Sequence, residues 1–355
     1  MFHLSRPLVR RTRLCKCISS SVKAAHENPL GLPRSGQRVP PQMPRRTPIG
    51  KRSIPHVKRV LVVASGKGGV GKSTVAVNLA FHLAMLRNPT EESFTSRRLR
   101  VGVLDLDVFG PSIPTLMGLR HAPEPDLTPA GALVPLTNHG MPCMSMGFLL
   151  PKTPAVDGKT YEESSNEDTP IVWRGLMVQK AVQQLLFDVD WRTGTSASSE
   201  AADSKSGLDV LVVDMPPGTG DVPLTLGQLV NVDGAVIVST PQDVALSDVR
   251  RGISMFRKVN VPITGLLLNQ ANFYCPSCTT PHPLFGSPDS FRKTADRMGI
   301  RVLGELPLVS AVSQAGDAGR IYGLQSASQA ESTLGEKMWV SGMDTLAQDV
   351  WQSLR

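Results

Sequence analysis

Ser65-Gly66-Lys67-Gly68-Gly69-Val70-Gly71-Lys72-Ser73-Thr74 is the stretch around which the rest of the chain is organised. An apolar run, Val60-Leu61-Val62-Val63, leads into it, and a helical pattern beginning near Lys72 leads out. Gly66, Gly71, Lys72 and Ser73 satisfy G-x-x-x-x-G-K-[ST] in the strand–loop–helix setting that gives this pattern meaning. Glycines let successive backbone N–H groups turn toward one anion, and the N-terminus of the following helix adds its dipole. In this pattern Lys72 reaches the β- and γ-phosphates of a nucleotide and the Ser73 hydroxyl ligates Mg²⁺. ATP and Mg²⁺ are therefore the expected ligands of residues 66–74.

Working outward, the charge is unevenly placed. Residues 1–59 hold 14 Lys or Arg against the single acid Glu27, while the remainder holds 24 bases and 29 acids, a net of −5. The overall +8 thus belongs to the tail. An Arg-rich, Ser-containing, acid-poor beginning reads as a mitochondrial presequence, with a basic arm for nucleic acid or anionic membrane as the alternative. Prolines at 29, 33, 40, 41, 44 and 48 keep the later part from forming regular structure. Residues 1–57 are therefore expected to be presequence and disordered basic linker, and the destination the mitochondrial matrix. A body at −5 is a poor partner for polyanions, so no nucleic acid is expected. The chain contains no apolar run of the roughly 18 residues that a membrane-spanning helix needs.

Beyond the glycine-rich turn, apolar runs at 101–104, 210–213, 235–238, 263–268 and 302–306 read as buried strands. Helical patterns lie between them at 73–87, 176–187, 243–259 and 287–298, with Ser287-Pro288 a sound N-cap and N1 pair. Strands rich in Val, Leu and Ile alternating with helices imply a doubly wound α/β fold with a mostly parallel sheet. Ligands then gather at the carboxyl ends of the strands. Residues 58–355 are expected to form this one domain, carrying polar insertions at 88–98, 152–169 and 193–207. Near the C-terminus, Trp339, Met343, Leu346, Val350 and Leu354 fall at helical spacing. The polar positions between them include Asp344, Gln348 and Asp349 rather than a basic row, which favours packing on the body over membrane contact.

Three further groups carry chemistry. Asp214 ends the 210–213 strand and reads as a Walker B acid, holding Mg²⁺ directly or through water. Gly218 and Gly220 in the loop that follows can approach the γ-phosphate closely. Asp105 and Asp107 end the neighbouring strand, and a carboxylate there can orient an attacking water; spacing does not decide which. Of the cysteines, 15 and 17 lie in the tail and Cys143 is solitary, leaving Cys275-Pro-Ser-Cys278 as the spaced pair of the body. Such a pair is a redox couple, half a zinc site or half a cluster site. Two thiols cannot fill a four-coordinate site, but two copies meeting at this loop would supply Cys₄, suited to [4Fe–4S] or to Zn²⁺. His282 reads as an ordinary loop histidine.

The K-G-G-x-G-K-[ST] form, with Lys67 inside the loop, resembles the deviant Walker A ATPases, the class of the MinD and ParA proteins. Several stretches narrow this to the Mrp-type (ApbC/Nbp) family: 107–114, 145–150, 173–175, 214–221, 240–251, the paired cysteines and Phe285-Gly286. The resemblance covers residues about 58–325 in order. It implies a P-loop NTPase fold of the MinD-like kind and weak ATP hydrolysis. Lys67 would face the nucleotide of a second copy, Lys72 would stabilise the phosphates, and Asp107 would position water. Asn269 and Pro307 would contact the adenine. Family members often carry an acid just before Asn269, where this chain has Leu268. The resemblance further implies a homodimer whose Cys275 and Cys278 share a bridging, labile [4Fe–4S] cluster. The apo iron–sulfur proteins of respiratory complex I would be its recipients, with peripheral contact at the inner membrane. A metal-free positioning ATPase and a zinc-bridged dimer are the alternatives.

Overall fold

A computed structural model describes residues 50–88, 97–149, 175–192, 207–326 and 332–355. The expected presequence up to residue 49, the 152–169 insertion, nearly all of the 193–207 insertion and the 173–174 part of the signature lie outside them. Of the 88–98 insertion only its ends are described. There Arg87 and Asn88 pair antiparallel with Arg98 and Arg97.

Among the described residues, eight strands make the main sheet. They are β1 (Val57–Ser65), β2 (Val101–Asp105), β3 (Leu136–Asn138), β4 (Met141–Ser145), β5 (Leu208–Asp214), β6 (Gly234–Ser239), β7 (Ile263–Leu268) and β8 (Val302–Glu305). Their order is β8-β7-β6-β1-β5-β2-β4-β3, and only the edge pair β3–β4 is antiparallel. The central strands β2, β5 and β6 are buried along their whole length, as the near-continuous apolar runs require of strands covered on both faces. Strand β1 starts one residue before the expected domain boundary. Residues ahead of it already belong to the body: Ile54 is buried and the Arg52 guanidinium lies 3.5 Å from the centre of the Phe187 ring.

Helices α1 (Lys72–Met85), α2 (Ile113–Leu116), α3 (Gly175–Phe187), α4 (Asp221–Leu229), α5 (Asp243–Lys258), α6 (Pro288–Met298), α7 (Ser310–Asp317), α8 (Tyr322–Ser326) and α9 (Leu334–Leu354) connect and cover the sheet. The crossover through α1 runs from β1 toward β2. Those through α4, α5 and α6 run the other way across the sheet. Right-handed connections therefore put α1 on one face and α4–α6 on the other, which makes the sheet doubly wound. Helix α9 joins α1 on its face. The Ser287 hydroxyl accepts from Asp289 N–H at 3.2 Å at the start of α6, as the N-cap pattern predicts.

Candidate functional site

Parallel register brings the acidic strand ends onto one level. Val63 of β1 pairs with Asp214 of β5, Asp214 with Asp105 of β2, and Asp105 with Ser145 of β4. The glycine-rich loop leaves β1 just beyond this level and arches back over it. Gly69 and Gly71 adopt φ of 77° and 79°, a region that costs L-residues strain. Among the described residues the amide N–H groups from Gly66 to Thr74 have no backbone carbonyl acceptor, so they are free to donate to an anion seated in the loop. Lys67 is exposed on the outer side of the loop, its carbonyl accepting from Ser65 Oγ at 3.0 Å. Gly68 is also exposed, and Val70 is buried beneath.

Lys72 opens α1, and its ammonium lies 2.5 Å from Asp214 Oδ1 and 3.1 Å from Ser73 Oγ. Both partners of this ion pair are buried. Burial pushes the Asp214 carboxyl up, while the Lys72 charge and hydrogen bonds from Lys72 and Ser73 pull it down. Asp214 Oδ2 is buried with no hydrogen-bond partner among the described residues. A carboxylate oxygen in that state, beside the Ser73 hydroxyl and under a ring of free amides, fits a nucleotide phosphate with its Mg²⁺.

The two acids at the end of β2 separate by environment. Asp105 is 1% exposed and accepts from Asp107 N–H at 2.9 Å, Ile113 N–H at 3.2 Å and Ser145 Oγ at 3.0 Å. Burial first, and then the Asp214 charge, push its carboxyl up to about 7. Asp105 thus ties the 106–113 loop to the sheet. Asp107 is only partly buried. Burial raises its carboxyl too, against the Lys72 charge, and the backbone N–H groups of Phe109 and Gly110 donate to it.

Asn269 follows β7 and reaches under the glycine-rich loop, its side-chain amide donating to Val70 O at 2.9 Å. A side chain at Gly71 would overlap that amide. Pro307 is buried alongside, because Leu306 N–H donates to Leu268 O and Leu308 N–H to Asn272 O, both at 2.8 Å. Leu268, just before Asn269, is fully buried and in register with both Ser239 and Glu305. Gly66 packs on the backbone of α5: a Cβ there would lie 2.5 Å from the Asp248 carbonyl carbon.

Cys275 and Cys278 sit in a separate two-stranded hairpin, Phe273–Tyr274 pairing antiparallel with Pro281–His282. Cys275 N–H donates to Thr280 O at 3.1 Å, and Thr279 N–H to Cys275 O at 2.8 Å, closing a tight turn. Cys275 is partly exposed and Cys278 exposed. Hydrogen bonds from the side chain and backbone of Thr280, then from Cys275 and His282, lower the Cys278 thiol to about 7. Cys143, by contrast, is fully buried and pushed up to about 12 by desolvation. Among the described residues no group of three or more His, Cys, Asp or Glu side chains could hold a metal within one chain. Sequence reasoning missed Ser145, Thr280 and the P-loop contact of Asn269. None of them leaves a trace there: Cys278 lies in the turn and Thr279 takes a φ of 57° between it and Thr280, so no strand alternation links the pair.

Residues 56–339 match the family model of ParA, NUBPL iron-transfer P-loop NTPase. The chain belongs to this family. The iron–sulfur cluster transfer protein NUBPL of Mus musculus is 47% identical over 282 residues, spanning 78% of this chain and 76% of the mouse protein. The mitochondrial iron–sulfur protein required for NADH dehydrogenase of Arabidopsis thaliana is 44% identical, over 74% of this chain and 71% of its own. Among solved structures, the nucleotide-binding protein of Archaeoglobus fulgidus in complex with ADP superposes with a TM-score of 0.55 at 31% identity. That match covers 75% of this chain and 88% of that one. The NUBPL family match therefore spans the strand ends, the glycine-rich loop and the cysteine hairpin together.

Proposed function

We propose that this chain is an ATP-dependent carrier that receives a [4Fe–4S] cluster and delivers it to apo subunits of respiratory complex I in the mitochondrial matrix. The observation that carries the reading is the pair of accessible thiols on the hairpin. The Cys278 thiol is lowered to about 7, so about half of it is ionised at neutral pH, and among the described residues no group of three or more His, Cys, Asp or Glu could hold a metal within one chain. Thiolates bind iron, and two per chain make a four-coordinate site only when two copies meet. The names of the mouse and Arabidopsis relatives agree with cluster transfer and with mitochondrial NADH dehydrogenase.

Each residue of the nucleotide site has a task in this reading. The amides of 66–74 would hold the phosphates, and Ser73 and Asp214 would hold Mg²⁺, which would supply charge neutralisation. Lys72 and Asp214 neutralise one another across the site, and nucleotide with its cation offers each a new partner of opposite charge. Asp107, at the rim and held by two backbone amides, orients the attacking water for slow hydrolysis. Asn269 and Pro307 border the adenine, and exposed Lys67 reaches toward the nucleotide of the second copy. The recipients are proteins, with the inner membrane touched at most peripherally.

Anaerobic reconstitution with iron and sulfide tests the proposal: it should load about four Fe per two chains, with visible absorption. A Cys275→Ser/Cys278→Ser protein that takes up equal iron would remove it. A colourless Cys₄ metal at one per two chains would support the zinc-bridged dimer instead. Nucleotide binding with no metal at all would support a positioning ATPase.

A further inference from the structure

Helix α5 has two distinct faces. Leu246, Val249 and Ile253 are buried under the sheet. Arg250, Arg251, Ser254 and Lys258, at i, i+1, i+4 and i+8, line one wall of an open cleft of about 560 Å³ between α5 and α4. Leu224 and Met255 give the cleft an apolar floor, and Thr219 closes the end nearest the nucleotide site. Arg251 is held by Asp248 at 2.9 Å, whereas Arg250 and Lys258 have no acidic partner among the described residues. The eight residue steps of helix from Arg250 to Lys258 span about 12 Å, the length of roughly four residues of extended chain.

We propose that this cleft docks an extended acidic segment of a partner protein, its carboxylates on Arg250 and Lys258 and its alternate apolar side chains on Leu224 and Met255. Two cations over an apolar floor suit alternating acidic and apolar positions better than a free phosphate, which has no use for the floor. A body carrying −5 repels a polynucleotide and an acidic segment alike at long range, so the attraction has to be local, from Arg250 and Lys258 themselves. The cleft also touches the nucleotide machinery. Thr219 belongs to the loop after Asp214, whose Gly218 N–H donates to Ser65 O at 2.9 Å. Asp248, the partner of Arg251, packs its backbone on Gly66. A segment seated here is therefore in contact with elements that pack against the glycine-rich loop. The inference stands on the cleft alone and holds whatever the cysteines carry.

The test uses the full chain and a labelled peptide of about six residues alternating Glu and Leu, read by fluorescence anisotropy with Mg-ATP and with Mg-ADP. Saturable binding is expected, with different affinity in the two nucleotides. It should weaken at least about tenfold in Arg250→Glu/Lys258→Glu while ATP binding is retained. Ser254→Glu, which adds a carboxylate and removes no cation, should weaken it in the same direction. Equal binding by the double variant, no binding at all, or preference for an alternating Lys and Leu peptide would overturn the proposal. So would loss of phosphatidylserine-vesicle binding in the double variant without any peptide binding, which assigns the cleft to a membrane. A shift of the double variant to a smaller species in sedimentation would assign it to a second copy of the chain.

Discussion

Asp105 accepts three hydrogen bonds from its own loop and from Ser145, while Asp107 has its carboxylate at the rim of the phosphate site. The two acids should therefore fail differently. Asp107→Asn is expected to keep ATP affinity and melting temperature while slowing hydrolysis by about a hundredfold, the scale of a lost positioning group. Asp105→Ala leaves a buried amide, a part-buried amide and a buried hydroxyl without their acceptor and should cost about 1–3 kcal/mol in urea unfolding. The reverse pattern would exchange their roles. The thiols divide in the same way. In metal-free protein, alkylation of Cys278 by iodoacetamide should rise with pH through a midpoint near 7 rather than the ordinary 9.0, because Thr280 and its neighbours favour the thiolate. Thr280→Val should move that midpoint upward, and mass spectrometry should find Cys143 unlabelled until the protein unfolds.

Helix α9 shows how far periodicity carries an element. Trp339, Met343, Leu346, Val350 and Leu354 are all buried, and the helix packs on α1 and β8, so its apolar face is already covered. The capping box of Thr333 and Glu336 fixes its start. Leu346→Ala should destabilise the body by about 2–5 kcal/mol, the usual cost of a large-to-small change at a fully buried site. An unchanged urea midpoint would mean that α9 is not part of the core. The buried parallel strands were legible for a related reason: strands covered on both faces must be apolar throughout. Strands β3 and β4 were not. Met141-Pro142-Cys143-Met144-Ser145 has no β-branched residue and contains a proline, and it becomes a strand only by pairing with β2 and β3. The cysteine hairpin has two residues per strand, too few to display alternation.

At the scale of the whole molecule, legibility follows sequence distance. The residues proposed to hold phosphate are contiguous and Asp214 ends its own strand, so local pattern finds them. Asn269 meets Val70 across 199 residues, and only the order β7-β6-β1 brings them together. The proposed cysteine site would extend the same logic beyond one chain, since half of its ligands would come from a second copy. Sharing has a consequence that separate sites lack. If wild-type chains and Cys275→Ser/Cys278→Ser chains are co-expressed in equal amounts and pair at random, only about one quarter of the dimers contain four cysteines. Cluster per chain should then fall to about one quarter of the wild-type value, and with the square of the wild-type fraction across a mixing series. Autonomous sites would lose only about half at equal mixing and decline linearly. Iron measured against that series, with subunit ratio checked by mass spectrometry, separates the two curves. A straight line would mean that each chain holds its metal alone, and the dimer seam would no longer be needed to complete the site.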